Sequence, residues 1–379
     1  MKQRLITLGV FLAVVGLGGI LVVVLGLAPV QASSGHWPIT KWFLEFSMSR
    51  SIATYSTGIK VPELDRPELV LKGAGHYETG CSPCHGSPTL RHPRVAANML
   101  PQPPYLPEEV HHWDPAELFL ITKHGIMLAG MPAFPSLKRD DEVWALVAFL
   151  QEYQEMEKED YQKLVFGNTW NASQEGDALQ EKLSDGTPLV VIQACIRCHG
   201  LQGEGRGQGA FPKLAGQNAE YLSRSLEAYI NGDRHSGIME PIAARLDVAT
   251  IKMISDYYAG LELHTEESND KQKALLESIE RGKVIATEGL PNEEIPSCAD
   301  CHGPGEVDIS PKYPRLAGQY REYLVLQLEL FHDRNRGGAE AAELMHEVAD
   351  QLTESHREDV AAYYASLKRD DEGASSSGE

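Results

Sequence analysis

CSPCH at residues 81–85, CIRCH at 195–199 and CADCH at 298–302 use every cysteine of this 379-residue chain. In a C-x-x-C-H run two thiols lie close enough to add to the two vinyl groups of one haem, and the adjacent imidazole reaches the iron from the same side. Covalent attachment and proximal ligand arrive together. The motifs therefore read as three sites for covalently bound c-type haem (haem c). Attachment is through Cys81 and Cys84, Cys195 and Cys198, and Cys298 and Cys301, with His85, His199 and His302 as iron ligands. Zinc asks for four donors where each motif offers three. Disulfides within the pairs would be strained redox bonds and would leave three histidines unexplained.

The sixth ligand decides whether such an iron binds small molecules or only exchanges electrons. Each motif is followed by one suitably placed methionine: Met131 in GMPAF, 46 residues after His85; Met239 in IMEPIA, 40 after His199; and Met345 in LMHEVA, 43 after His302. A thioether fills the coordination site that peroxide or oxygen would need and raises the reduction potential relative to two imidazoles. Met127 is an alternative to Met131. His346 and His332 are alternatives to Met345, where Glu347 takes the place of the proline that follows Met239. Met99, Met156 and Met253 read as packing residues, and His111, His112 and His124 as surface groups.

The motifs recur after 114 and 103 residues, the lower end of domain size, so the chain divides into three consecutive modules. FPKLAGQNAEYL at 211–222 returns as YPRLAGQYREYL at 313–324, an offset of 102. Further along, Met239 and Met345, Ala243 and Ala349, and Tyr257 and Tyr363 pair at an offset of 106. Modules two and three are duplicates, with about four residues added between Arg336 and Ala342. Module one lacks the LAGQ segment and carries Pro101, Pro103 and Pro104 instead.

Each module closes on a helical pattern. Asp140, Asp141 and Glu142 suit a helix N-terminus ahead of Val143, Trp144, Val147 and Leu150. Asp247 can cap a helix bearing Ile251, Ile254 and Tyr258 on one face, and Ser355 with Glu358 has capping-box spacing. With no alternating strand pattern, the modules read as all-α.

Residues 5–30 contain no charge and follow Lys2 and Arg4. Spanning a bilayer takes about 20 apolar residues, so the length favours a retained transmembrane helix, whereas Val30-Gln31-Ala32 resembles a signal-peptidase site. Under either reading the positive-inside rule puts the rest of the chain on the outer face of a bacterial inner membrane, in the periplasm. The expected division is a membrane segment at 1–34, modules at 35–160, 161–263 and 264–369, and a disordered tail at 370–379. A net charge of −20 repels a nucleic-acid backbone, so neither DNA nor RNA is an expected partner.

The motifs, methionine segments and flanking helices resemble class I cytochromes c over residues 73–367. Modules two and three are similar to tandem two-haem cytochromes c, module one to membrane-anchored single-haem proteins, and the whole plan to cytochrome subunits of membrane-bound dehydrogenases. The resemblance implies three consecutive class I cytochrome c domains after an N-terminal transmembrane helix. Pro212, Pro314 and one of the prolines at 101–104 would lie on the proximal side of the haems. The implied work is electron transfer with no catalytic residues, between a dehydrogenase or quinol-oxidising complex and a terminal oxidase or other cytochromes. The alternative is a haem enzyme, a peroxidase or sulfur-compound oxidoreductase, with an open iron in module three.

Overall fold

The computed structural model describes residues 2–28, 31, 33–154, 156–167, 184, 186–263, 273–304, 310–338 and 341–368. Among them are helices and a few isolated bridges, and no strand. The expected tail lies outside the described residues.

Helix α1 (Lys2–Val24) is apolar on every side and buries nothing against the rest of the chain. Helix α2 (Pro38–Tyr55) lays Ile52 inward, while Ile39, Trp42, Phe43 and Phe46 remain exposed on its other face.

Module one is built on α3 (Pro67–His76), α4 (Pro115–His124), α5 (Asp140–Tyr153) and α6 (Lys158–Phe166). The turn carrying the first motif follows α3 directly. Tyr77, Phe149, Tyr153 and Tyr161 interlock at its core, with ring centroids 4.8 Å apart for Tyr77–Tyr153 and 5.7 Å for Tyr153–Tyr161. Tyr161 and Val165 belong to this core, so the body extends past the expected boundary at 160. Residues 158–160 are the first residues of α6, whose Tyr161 and Val165 face inward.

Module two comprises α7 (Leu189–Ala194), α8 (Ala219–Asn231), α9 (Met239–Ala243) and α10 (Val248–Ala259), packed around Val191, Leu222, Ile254 and Tyr258. Asp247 caps α10 as its position suggested, accepting the Thr250 N–H at 2.7 Å. Met253 is 42% exposed on this helix, not part of the core.

Module three repeats the plan with α11 (Lys273–Glu288), α12 (Arg321–His332), α13 (Ala342–Gln351) and α14 (Glu354–Ser366) around Ile285, Leu324, Leu352, Val360 and Tyr364. The cap of α14 is Thr353, whose hydroxyl accepts the His356 N–H at 3.2 Å; Ser355 lies inside the helix. The backbone turns into helical geometry two residues before the capping-box spacing suggested, because Thr353 has the extended conformation a cap requires.

Asp359 ties α14 to α11. Burial opposes its ionisation, but the Arg281 guanidinium, which reaches both carboxylate oxygens at 2.7 Å, and the Ser278 hydroxyl hold its carboxyl below the usual value. The folded value is the lower one, so this contribution to stability is full above about pH 4 and is lost as pH falls through the folded value. Thermal unfolding of the wild type on acidification should therefore show a loss in module three that Asp359→Asn, already lacking the ion pair at neutral pH, does not repeat.

Candidate haem sites and the seams between modules

Each motif forms a single helical turn: Ser82–His85, Ile196–His199 and Ala299–His302. The turn presents its cysteines and histidine together, and the following glycine reverses the chain with positive φ. His85 and His302 are buried and His199 is half-buried. In every case Nδ1 lies 2.9 Å from a proline carbonyl, that of Pro104, Pro212 or Pro314. A carbonyl only accepts, so Nδ1 carries the proton and Nε2 keeps its lone pair. Burial holds all three imidazoles below their ordinary pKa, and the proline carbonyls partly offset this. These are neutral, oriented rings with one free donor nitrogen, as an iron ligand requires. The proline expected from 101–104 is Pro104.

The six cysteines are unpaired. Burial pushes the Cys81 thiol up to about 12 and those of Cys195 and Cys298 to about 11. Among the described residues, no cluster of three or more His, Cys, Asp or Glu side chains is placed to hold a metal ion.

The methionines sit on three different supports. Met131 is in a loop closed by its carbonyl accepting the Ile126 N–H at 3.1 Å, whereas Met127 is 89% exposed. Met239 opens α9. Met345 is inside α13 and packs on Phe331, Ala342 and Ala349. In both duplicates the methionine is carried on a helix: Pro241 is the third residue of the five-residue α9, and Glu347 lies inside the ten-residue α13. His346 Nε2 lies 2.7 Å from the Arg336 carbonyl, and the exposed His332 lies 3.7 Å from Asp350.

The residues present fit a haem at each motif: two thiols, an imidazole with Nε2 free, and an apolar core beside them. Arg336 adds a separate indication. Only 8% exposed, it meets Gln327, the Tyr221 hydroxyl and the ring of Phe331, and no carboxylate among the described residues. A buried guanidinium in that position is costly unless an anion joins it, and haem carries two propionates.

Modules two and three meet across a local two-fold. Lys213 N–H donates to Gln319 Oε1 at 3.1 Å, and Gln319 Nε2 donates to the Lys213 carbonyl at 3.0 Å. Arg315 N–H donates to Gln217 Oε1 at 2.8 Å, and Gln217 Nε2 to the Arg315 carbonyl at 3.0 Å. The same operator pairs the Arg336–Tyr221 contact with one from Arg234 to Tyr323, at 2.9 and 3.3 Å. Every pair is related by the offset of 102, so the LAGQ repeat is the seam itself, one residue beyond each proline that orients a histidine. The repeat was visible in the sequence; its reciprocal use was not.

Modules one and two meet differently. Leu71 on α3 packs against Cys198, Ala210 and Phe211, and Arg197, inside the second motif, donates to Thr79, two residues before Cys81. Arg206 donates to the carbonyls of Leu164 and Val165, both at 2.8 Å. The first two motifs are thus in contact through their flanking residues.

Small helical bodies that each hold an oriented histidine, buried or half-buried, behind two cysteines define a c-type cytochrome. Residues 68–150 match the family described as cytochrome c oxidase, cbb3-type, subunit III, and residues 183–270 match cytochrome c. A cytochrome c-552 of Acidithiobacillus ferridurans is 36% identical over 48% of this chain and 76% of its own length. A thiosulfate dehydrogenase electron acceptor of Thiomonas intermedia is 32% identical over 45% of this chain and 77% of its own. A solved cytochrome c4 of Acidithiobacillus ferrooxidans shares 35% identity over 46% of this chain and 99% of that one, with a TM-score of 0.41. The chain belongs to the cytochrome c family, and its general activity is electron transfer.

Proposed function

We propose that the chain carries three haems and passes electrons along them between a dehydrogenase and a terminal oxidase or soluble cytochrome on the periplasmic face of the inner membrane. The observation that carries this reading is the threefold recurrence of a motif histidine fixed by a proline carbonyl with Nε2 free. Cys81, Cys84, Cys195, Cys198, Cys298 and Cys301 are the attachment points. His85 with Met131, His199 with Met239, and His302 with Met345 would ligate the three irons. At the third site the engagement of His346 with the Arg336 carbonyl favours Met345. The bound haem supplies a one-electron couple at its iron; the chain's part is to fix the imidazoles, fill the sixth position and exclude water.

The names of the relatives support a direction for the electrons. A relative covering 45% of the chain is named as the electron acceptor of a thiosulfate dehydrogenase, and residues 68–150 of module one match a family named for an oxidase subunit. A sulfur-compound dehydrogenase as donor and a membrane oxidase as acceptor fit both. Membrane attachment is supported by α1, with mean hydropathy 2.6, and by the exposed aromatic face of α2 close after it, a composition suited to the membrane–water boundary.

Carbon monoxide tests the saturated irons. The reduced native protein should bind none, and Met131→Ala, Met239→Ala and Met345→Ala should each bind one equivalent per chain. Uptake by the native protein would instead identify an open iron.

A further inference from the structure

The segment that precedes Met239 is held by module one. Glu142, on α5 and 3% exposed, accepts the Ser236 hydroxyl at 2.8 Å through Oε1 and the Gly237 N–H at 2.6 Å through Oε2. Ser236 Oγ in turn accepts the Met239 N–H at 3.1 Å. Arg139 holds the carboxylate at 2.9 Å and also donates to the His235 carbonyl at 2.6 Å. Behind it, Asp141 joins Arg139 to Lys72, each at 2.8 Å. Phe134, three residues after Met131, covers Gly237 so closely that a Cβ there would lie 2.2 Å from its ring. Module two adds a polar support of its own, Glu240 accepting the Ser236 N–H at 2.8 Å; Met131 has the Ile126 pairing, and Met345 packs on Phe331, Ala342 and Ala349.

We propose that module one positions the sixth ligand of module two, with Glu142 as the positioning residue that fixes Met239 through Ser236 and Gly237. The physical case is that a single short turn of helix, α9, has little stability of its own. Its start is fixed by a buried carboxylate on another domain, and a carboxylate that accepts two hydrogen bonds while paired with arginine gives a stiff, directional support. The second haem's ligation is then a property of the docked pair of modules, not of module two alone. The proposal rests on the reading of Met239 as an axial ligand.

The test uses the full-length, haem-loaded chain. Its readouts are the far-red absorption of ferric thioether-ligated haem, carbon monoxide uptake after reduction, and the midpoint potential of each haem. Met239→Ala is the reference: it should remove one haem's share of the absorption and admit one equivalent of carbon monoxide. Glu142→Ala and Ser236→Ala should move the same readouts in the same direction and lower the potential of one haem only. Glu142→Gln, which keeps an accepting oxygen, should retain most of the absorption. Gly237→Ala, which pushes against Phe134 from the opposite side of the seam, should also weaken it, and adding Phe134→Ala should restore it; this pair decides the matter if Glu142→Ala does not fold. If Met239→Ala changes nothing, the ligand assignment fails. If Met239→Ala acts but Ser236→Ala and Gly237→Ala leave absorption and potential untouched, the assignment stands and the positioning role is overturned.

Discussion

Replacing Gly73 by alanine should destabilise module one by about 2–3 kcal/mol, the upper part of the range for overpacking a dense interior. A Cβ at Gly73 would lie 2.0 Å from the Ala145 carbonyl oxygen and 2.6 Å from Phe149 Cβ, so α3 and α5 would have to separate. The obstacle is backbone, which cannot swing aside as a side chain does. Alanine's better helix propensity returns only about 1 kcal/mol. Module three contains the same device: a Cβ at Gly282 would lie 1.9 Å from the Asp359 carbonyl oxygen. Gly282→Ala should therefore cost a similar amount. Gly80→Ala, where nothing stands within 4 Å, is the control and should change little. Chemical denaturation of the oxidised protein measures all three, and equal midpoints for Gly73→Ala and Gly80→Ala would show that the two helices are less tightly joined than the contact implies.

The second large effect is expected from Cys298→Ala combined with Cys301→Ala. Haem content should fall from three to two per chain, measured by the mass of the intact protein and by pyridine haemochromogen absorption against protein concentration. Module three should then lose its compactness as well, because the loss of a large apolar group leaves a cavity that the surrounding core cannot fill. Protease cleavage within α11 to α14 would report that loss. The damage should reach module two, since the Arg315 N–H that caps Gln217 follows directly on the proline that orients His302. Three haems retained in this variant would mean that the third motif is not an attachment site.

Features written in short stretches are legible in the sequence: the three motifs, the duplicated LAGQ segments, the cap at Asp247, and the prolines expected beside His199 and His302. Each depends on residues close in sequence or on an internal repeat. Features made by side chains far apart in sequence were hidden. Asp140, Asp141 and Glu142 looked alike as acidic residues at a helix start, yet they diverge in space. Asp140 pairs with Lys123, Asp141 with Lys72 and Arg139, and Glu142 with another module. Nothing local distinguishes the third from the first two. Ser355 was the expected cap, and the backbone conformation selects Thr353 instead. Tyr161, one residue past the expected boundary, gave no local sign of its place in the core, which depends on the rings of Phe149 and Tyr153 brought to it by α5.

The reciprocal glutamines bear on how such a chain can grow. An interface that relates like to like uses each surface once and closes on itself, whereas a head-to-tail contact leaves a free copy of one surface at each end. Gln217 and Gln319 spend both the carbonyl and the amide of their side chains on the backbones of Arg315 and Lys213 across the seam. No second LAGQ face is left on which another duplicate could dock in the same way. Module one joins the pair through a different surface, α3 set against the second motif: a closed pair extended from outside, not the first three links of an endless series.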